Sequence, residues 1–181
     1  TLQFTATDNN SCYTAATTSE ITGYDLSIYR SGVGSTTCLI SAGAFNANNC
    51  YNSAVATSTW NLSCTASSTS CTGSSDTSVV YDCTFPLWYI ADPTDGTATS
   101  TQYPTQNWLS QVQAIDDDNA TGSLYESTVG VEVRSFLAFA LNTLTIPYGA
   151  LEPGQQNDPL VATTTVSATG NVGLDKSVEG E

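Results

Sequence analysis

The sequence predicts an all-β protein made of two tandem β-sandwiches, and three observations carry that prediction. Short segments alternate apolar and polar residues with a period of two, the pattern of a strand with one buried face. Clusters of Gly, Pro, Asn, Asp and Ser punctuate these segments at close intervals. No stretch combines helix caps with an apolar helical stripe, so no helix is expected.

The elements follow in order. Leu2, Phe4 and Ala6 alternate against Thr and Gln in Thr1–Asp8, a first strand. Tyr24, Leu26 and Ile28 share one side of Gly23–Ser31, a second. Gly32–Ser53 reads as a long Gly/Asn/Ser loop, too long for a compact domain unless a disulfide holds it. Ala54–Cys64 offers a strand centred on Trp60 and Leu62, and Thr65–Thr77 a low-complexity Ser/Thr loop.

Val79, Tyr81, Cys83 and Phe85 form the most strongly patterned strand, rich in residues that suit a pleated, half-buried surface. Pro86 interrupts it and Leu87–Ala91 resumes as an apolar run that ends at the turn Asp92-Pro93-Thr94-Asp95-Gly96. Trp108–Ile115 alternates again, and we expect it to pair with the Val79–Ala91 strand as a hairpin with a long loop.

Asp116-Asp117-Asp118-Asn119 stops that strand and gives the domain division, residues 1–118 and 119–181. In the second unit Gly130–Thr145 favours strand over helix because β-branched residues bracket it. Thr163–Ala168 and Val172–Val178 read as strands joined through Thr169-Gly170-Asn171. Four strands are too few to close two sheets, so this unit is expected to be incomplete.

The formal charge is -14, with Arg30, Arg134 and Lys176 the only cations. Nucleic acid and anionic membrane surfaces are thereby excluded as partners, since both need clustered positive charge. No apolar run reaches the roughly 20 residues a membrane helix requires, so no membrane insertion is expected. A hydrophobic fraction of 40% is enough for a core, so the chain is not an acidic disordered tail. The chain begins at Thr1 without Met, as a mature form does after signal removal.

Cys12, Cys38, Cys50, Cys64, Cys71 and Cys83 all lie in the first half, with no His and no C-x-x-C pair to suggest zinc. They are read as disulfides, which implies an extracellular or cell-surface setting. The expected pairs are Cys38–Cys50 and Cys64–Cys71 as local loops, with Cys12–Cys83 tying an early strand to the central one. Sequons at Asn9, Asn61 and Asn119 suit a glycosylated surface.

Two groups of motifs resemble known modules. Cys83–Asp95 (CTFPLWYIADPTD) with Asn107–Gly122 (NWLSQVQAIDDDNATG) is similar to modules of secreted surface proteins from uncultivated, small-genome bacteria and archaea. Ile146–Gln155 (IPYGALEPGQ) with Thr163–Asp175 (TTTVSATGNVGLD) resembles the ends of the same arrays, and also camelysin-like and bundling-pilus subunits. Together the motifs cover less than a third of the chain. The resemblance implies Ig-like, disulfide-containing sandwiches at the cell surface, in the second case sandwiches that polymerise into fibres, and supplies no catalytic residue.

The absence of His removes the usual general base and the Ser-His-Asp triad, and oxidised cysteines leave no thiolate nucleophile. A glycosidase needs only two carboxylates across a cleft, but no motif supports one. No enzyme is therefore expected. Ca²⁺ is the one cofactor considered, at Asp116, Asp118 and Asn119, against the preferred reading of a solvated, strand-ending acidic turn. Candidates for stacking on sugars are Trp60, Trp88, Trp108, Tyr51, Tyr89 and Tyr103; the tryptophans belong more naturally to the core, whereas Tyr51 and Tyr103 lie in polar loops.

These readings lead to a secreted structural protein, a subunit of an extracellular filament, pilus-like fibre or surface layer. Its partners would be copies of itself, joined head to tail by strand exchange at the uncovered edge of the second unit. The alternative is a cell-surface adhesin or carbohydrate-binding module with glycans as partners.

Overall fold

The alternating stretch from Ser78 to Thr84 is a strand, but its neighbours differ from those expected. The computed structural model describes residues 1–9, 20–39, 45–54, 61–67, 76–96, 102–145, 152–154, 164–175 and 177. Among them are β1 (Leu2–Thr7), β2 (Ile21–Arg30), β3 (Cys50–Asn52), β4 (Ser63–Ala66) and β5 (Ser78–Thr84). These are followed by β6 (Trp108–Asp116), β7 (Tyr125–Glu126), β8 (Phe139–Leu141) and β9 (Val166–Ala168), with no helix among the described residues. The protein is all-β.

One sheet has the order β1-β5-β4, a second β3-β2-β6-β7, and β8-β9 form a separate pair, every neighbour antiparallel. Residues of one parity turn inward on each strand. Phe4 and Ala6 of β1, Val79 and Tyr81 of β5 and Cys64 of β4 meet Ile21 and Ala114 from the second sheet. Phe4, Tyr24 and Tyr81 form an aromatic triad across that interface, with centroids 5.1 to 6.0 Å apart. The Tyr81 hydroxyl donates to the Ile21 carbonyl at 3.3 Å, and the Cys64 N–H donates to the Tyr24 hydroxyl at 3.1 Å.

The expected hairpin between Val79–Ala91 and Trp108–Ile115 does not form: β5 pairs with β1 and β4, and β6 with β2. Pro86 has no N–H to extend the ladder, so the strand ends at Thr84 and the apolar run beyond it is not strand. Phe85, Leu87 and Trp88 instead pack around Tyr51, Ala91 and Trp108, closing the other end of the core.

The disulfides are partly as expected. Cys38–Cys50 is present. Cys64 bonds Cys83 rather than Cys71, because the β4–β5 register sets the two directly opposite, with Cα atoms 4.0 Å apart. The expected Cys64–Cys71 and Cys12–Cys83 pairs are therefore excluded, and Cys12 and Cys71 lie outside the described residues.

Other differences are local. Trp60 lies outside the described residues, and the strand expected around it is found later, as Ser63–Ala66. The predicted loop Gly32–Ser53 contains β3, whose three residues are all buried. Val172–Asp175 is not strand. Gly170-Asn171 turns back on Phe136 rather than opening a hairpin: Asn171 Oδ1 accepts the Phe136 N–H at 2.8 Å and its Nδ2 donates to the Arg134 carbonyl at 2.9 Å. Beyond Asp118 the chain stays on the second sheet, with Thr121, Tyr125–Glu126 and Val131 all paired to β6.

Candidate functional site: an open cleft beside the first strand

Three groups of residues assemble one feature, a cleft along the side of the sandwich. β1 is the edge of its sheet and β7 is the edge of the other. Between them lies a cavity of ≈ 390 Å³ lined by Leu2, Phe4, Ser110, Val112, Tyr125 and Ser127, among others. A second cavity of ≈ 220 Å³ shares Leu2, Ser110 and Ser127 with it, and reaches the core at Ile28, Phe85 and Trp108. No charged side chain lines either cavity.

Local sequence explains why the cleft is open. β7 is only two residues long, so the second sheet offers little cover beyond β6. Past β7, Ser127 returns to β6 through its N–H on the Ser110 carbonyl at 2.8 Å, and Val131 exchanges two backbone bonds with Trp108. Gly130 permits that approach, because a Cβ there would stand 2.4 Å from Asn107 Cβ. The Thr94 N–H then donates to the Val133 carbonyl at 2.8 Å, while the Val133 N–H donates to Thr94 Oγ1 at 3.0 Å. Asp95 Oδ2 accepts both the N–H and the hydroxyl of Ser135, at 2.8 and 3.0 Å. Thus the Asp-Pro-Thr-Asp turn holds the Val131–Ser135 segment against the cleft's floor.

A buried ion pair fixes the same end. Arg30 Nε donates to Asp92 Oδ2 at 2.9 Å, and its guanidinium lies 3.5 Å from the centroid of the Tyr103 ring. Arg30 also donates to Gln106 Oε1, which accepts the Gly32 N–H at 2.9 Å. The Asp92 carbonyl takes the Trp108 Nε1–H at 3.0 Å, so the pair orients the indole on the floor of the cleft.

The sequence-predicted site residues do not converge on this cleft. Asp116–Asn119 is a hairpin turn: Asp116 Oδ1 accepts the Ala120 N–H at 2.6 Å, and Asn119 takes a φ of 63°, which Asn tolerates. Asp8, Asp117 and Asp118 lie near Glu20, whose carboxyl is raised above its usual value, first by its hydrogen bond with Asp117. Among the described residues no group of three His, Cys, Asp or Glu side chains is arranged to hold a metal ion. Asn9, Asn61 and Asn119 are all exposed.

The two loop tyrosines are not free to stack on a sugar. Tyr51 is fully buried, donates to the Ala47 carbonyl and accepts the Trp88 N–H at 3.3 Å. Burial pushes its pKa up to about 12. Tyr103, half-buried, lies beneath Arg30. Trp108 is buried and Trp88 half-buried, as expected, whereas Tyr89 is exposed. Beside the Cys38–Cys50 disulfide and Ser35, residues on the outer face of the second sheet are also buried. Tyr29 and Gln111 lie there, with Gln111 Nε2 donating to the Ser35 carbonyl at 3.0 Å. Burial raises the Tyr29 hydroxyl above its ordinary range.

No protein-family model matches the chain, and no curated protein or solved structure matches it with significance. The two disulfides fit an oxidising environment, and among the described residues no helix is long and apolar enough to cross a membrane.

Proposed function

We propose that this chain is a secreted structural protein, the subunit of an extracellular filament or surface layer that assembles by β-strand exchange. The supporting observation is the uncharged cleft between the two sheet edges, flanked by the outer edge of β1. Among the described residues β1 pairs only with β5, so alternate N–H and C=O groups over six residues face away from any strand. A cleft with apolar walls and a row of backbone donors and acceptors along one lip suits an extended apolar strand, because ladder bonds and side-chain burial are then satisfied together. The exposed sequons and the disulfides are those of a protein built for an oxidising surface environment.

Of the candidate contacts of the adhesin alternative, Tyr51 is buried, Tyr103 lies against Arg30 and Tyr89 is exposed. No constellation for catalysis is gathered in the cleft, whose lining among the described residues has no carboxylate and no charged side chain.

Electron microscopy of concentrated protein tests the proposal, with regular fibres expected. Val112→Lys, which places a charge in the cleft wall, should abolish them while leaving the monomer's circular dichroism unchanged. A wild-type protein that stays a dispersed monomer across concentration, salt and pH overturns the proposal.

A further inference from the structure

We infer that the strand received by the cleft is the Phe136–Leu141 segment of a second copy of this chain. The inference rests on the strand-exchange proposal and names the donor.

Four observations select this segment. β8 is an edge strand whose only described partner is β9, and a lone two-stranded sheet is marginally stable in water. Leu137, Phe139 and Leu141 alternate, so in an extended strand they share one face, and they are 62%, 56% and 39% exposed. Such a contiguous apolar strip on a soluble protein marks an interaction surface. Ten residues, Phe136–Thr145, carry no charge in a chain of net charge -14, and no charged side chain lines the cleft either. Contact between two copies is least repulsive where neutral surface meets neutral surface. Finally, β8 itself spans only Phe139–Leu141, but the uncharged run Phe136–Thr145 around it is long enough to extend along the six residues of Leu2–Thr7, about 20 Å of strand.

The donor belongs to another copy because its own approach is fixed elsewhere. Val131 is paired to Trp108, Val133 to Thr94, Ser135 to Asp95 and Phe136 to Asn171, and this path delivers β8 to β9, not to β1. Docking β8 of one copy on β1 of the next gives a five-stranded sheet of order β4-β5-β1-β8-β9 across the interface. Leu137, Phe139 and Leu141 would fill the cleft. Donor and acceptor are different surfaces of one chain, so the contact is heterologous and gives a filament where its rotation does not close a ring.

The test uses two full-length variants with one added cysteine each, Thr5→Cys and Ala140→Cys, chosen because both residues are exposed and fall between the alternating apolar positions of their segments. Mixed, allowed to assemble and treated with a short bis-maleimide, they should give a Thr5–Ala140 cross-linked dimer by peptide mass spectrometry. Phe139→Lys, on an already exposed position, should raise the critical concentration for assembly by more than about tenfold. Fibres from Phe139→Lys at the wild-type concentration, or cross-links from Thr5 to any other segment, overturn the donor assignment and leave strand exchange standing. A cross-link formed only within one chain carrying both cysteines replaces the second copy by the chain's own β8 and also overturns it. A wild-type protein that never assembles removes both.

Discussion

Replacing Arg30 by Met should destabilise the protein by about 3 kcal/mol, the low end of the range for breaking a buried ion pair. The low end is chosen because the Arg30 and Asp92 side chains are 8% and 14% exposed, so some hydration survives. Met retains much of the arginine stem but not the guanidinium over Tyr103, so the loss falls on the charge and its contact with that ring. Asp92 would be left without its 2.9 Å partner beside the buried Trp108, and Gln106 Oε1 would keep only the Gly32 N–H. Urea unfolding followed by tryptophan fluorescence reads the effect. With a slope of about 2 kcal/mol per molar, the midpoint falls by about 1.5 M while the slope is unchanged. The paired variant Arg30→Met/Asp92→Asn removes the stranded charge and should recover about 1 to 2 kcal/mol. Because the pair is shielded from solvent, 1 M salt should leave the loss largely in place, unlike that of a surface pair. An Arg30→Met midpoint within about 0.5 kcal/mol of wild type, or a paired variant no more stable than the single one, refutes the assignment of Arg30–Asp92 as the clamp of this end.

Two further outcomes are expected. Tyr51 has a folded pKa of about 12 against an ordinary value of 10, so its contribution is complete below pH 10 and is lost as pH rises towards 12. Ionising Tyr51 should remove about 2 kcal/mol over that window, a share absent from Tyr51→Phe, where that of Tyr29 persists; an unchanged pH profile in the variant counts against a buried phenol. Gly170→Ala should loosen β8–β9, because a Cβ there would stand 2.4 Å from the Phe136 oxygen and 2.7 Å from the Ala138 nitrogen, both backbone atoms. Amide exchange should accelerate at Thr169 and Asn171, which donate to Ala138 and Phe136, with β5 unaffected; retained protection at both sites would show that the two strands can move apart at no cost.

The strands of the sandwich were legible where a period of two was long enough to read: β1, β2, β5 and β6 coincide with alternation at Leu2-Phe4-Ala6, Tyr24-Leu26-Ile28, Val79-Tyr81-Cys83 and Trp108–Ala114. β3 and β7, of three and two residues, carry too few positions to show a period. Pairing was not legible, because alternation states which face is buried and not which strand lies alongside. The Cys64–Cys83 bond has the same origin: Cys71 is nearer in sequence, but register decides.

This ambiguity also bears on the site. Sequence counting placed the unfinished edge in the second unit, where strands seemed too few. The structure puts an open edge at β1 in the first unit and an uncovered apolar strand, β8, in the second. Leu2-Phe4-Ala6 would read the same in a central strand as at an edge, so an acceptor is invisible until its neighbours are known. A donor is easier to see, because an uncharged run such as FLAFALNTLT is conspicuous in a chain of this acidity. Neither half accounts for the other alone: an open cleft invites any apolar strand, and an apolar strand can pair with any edge. Their presence on different faces of one acidic chain, both free of charged side chains, is the ground on which we propose that the chain is its own partner.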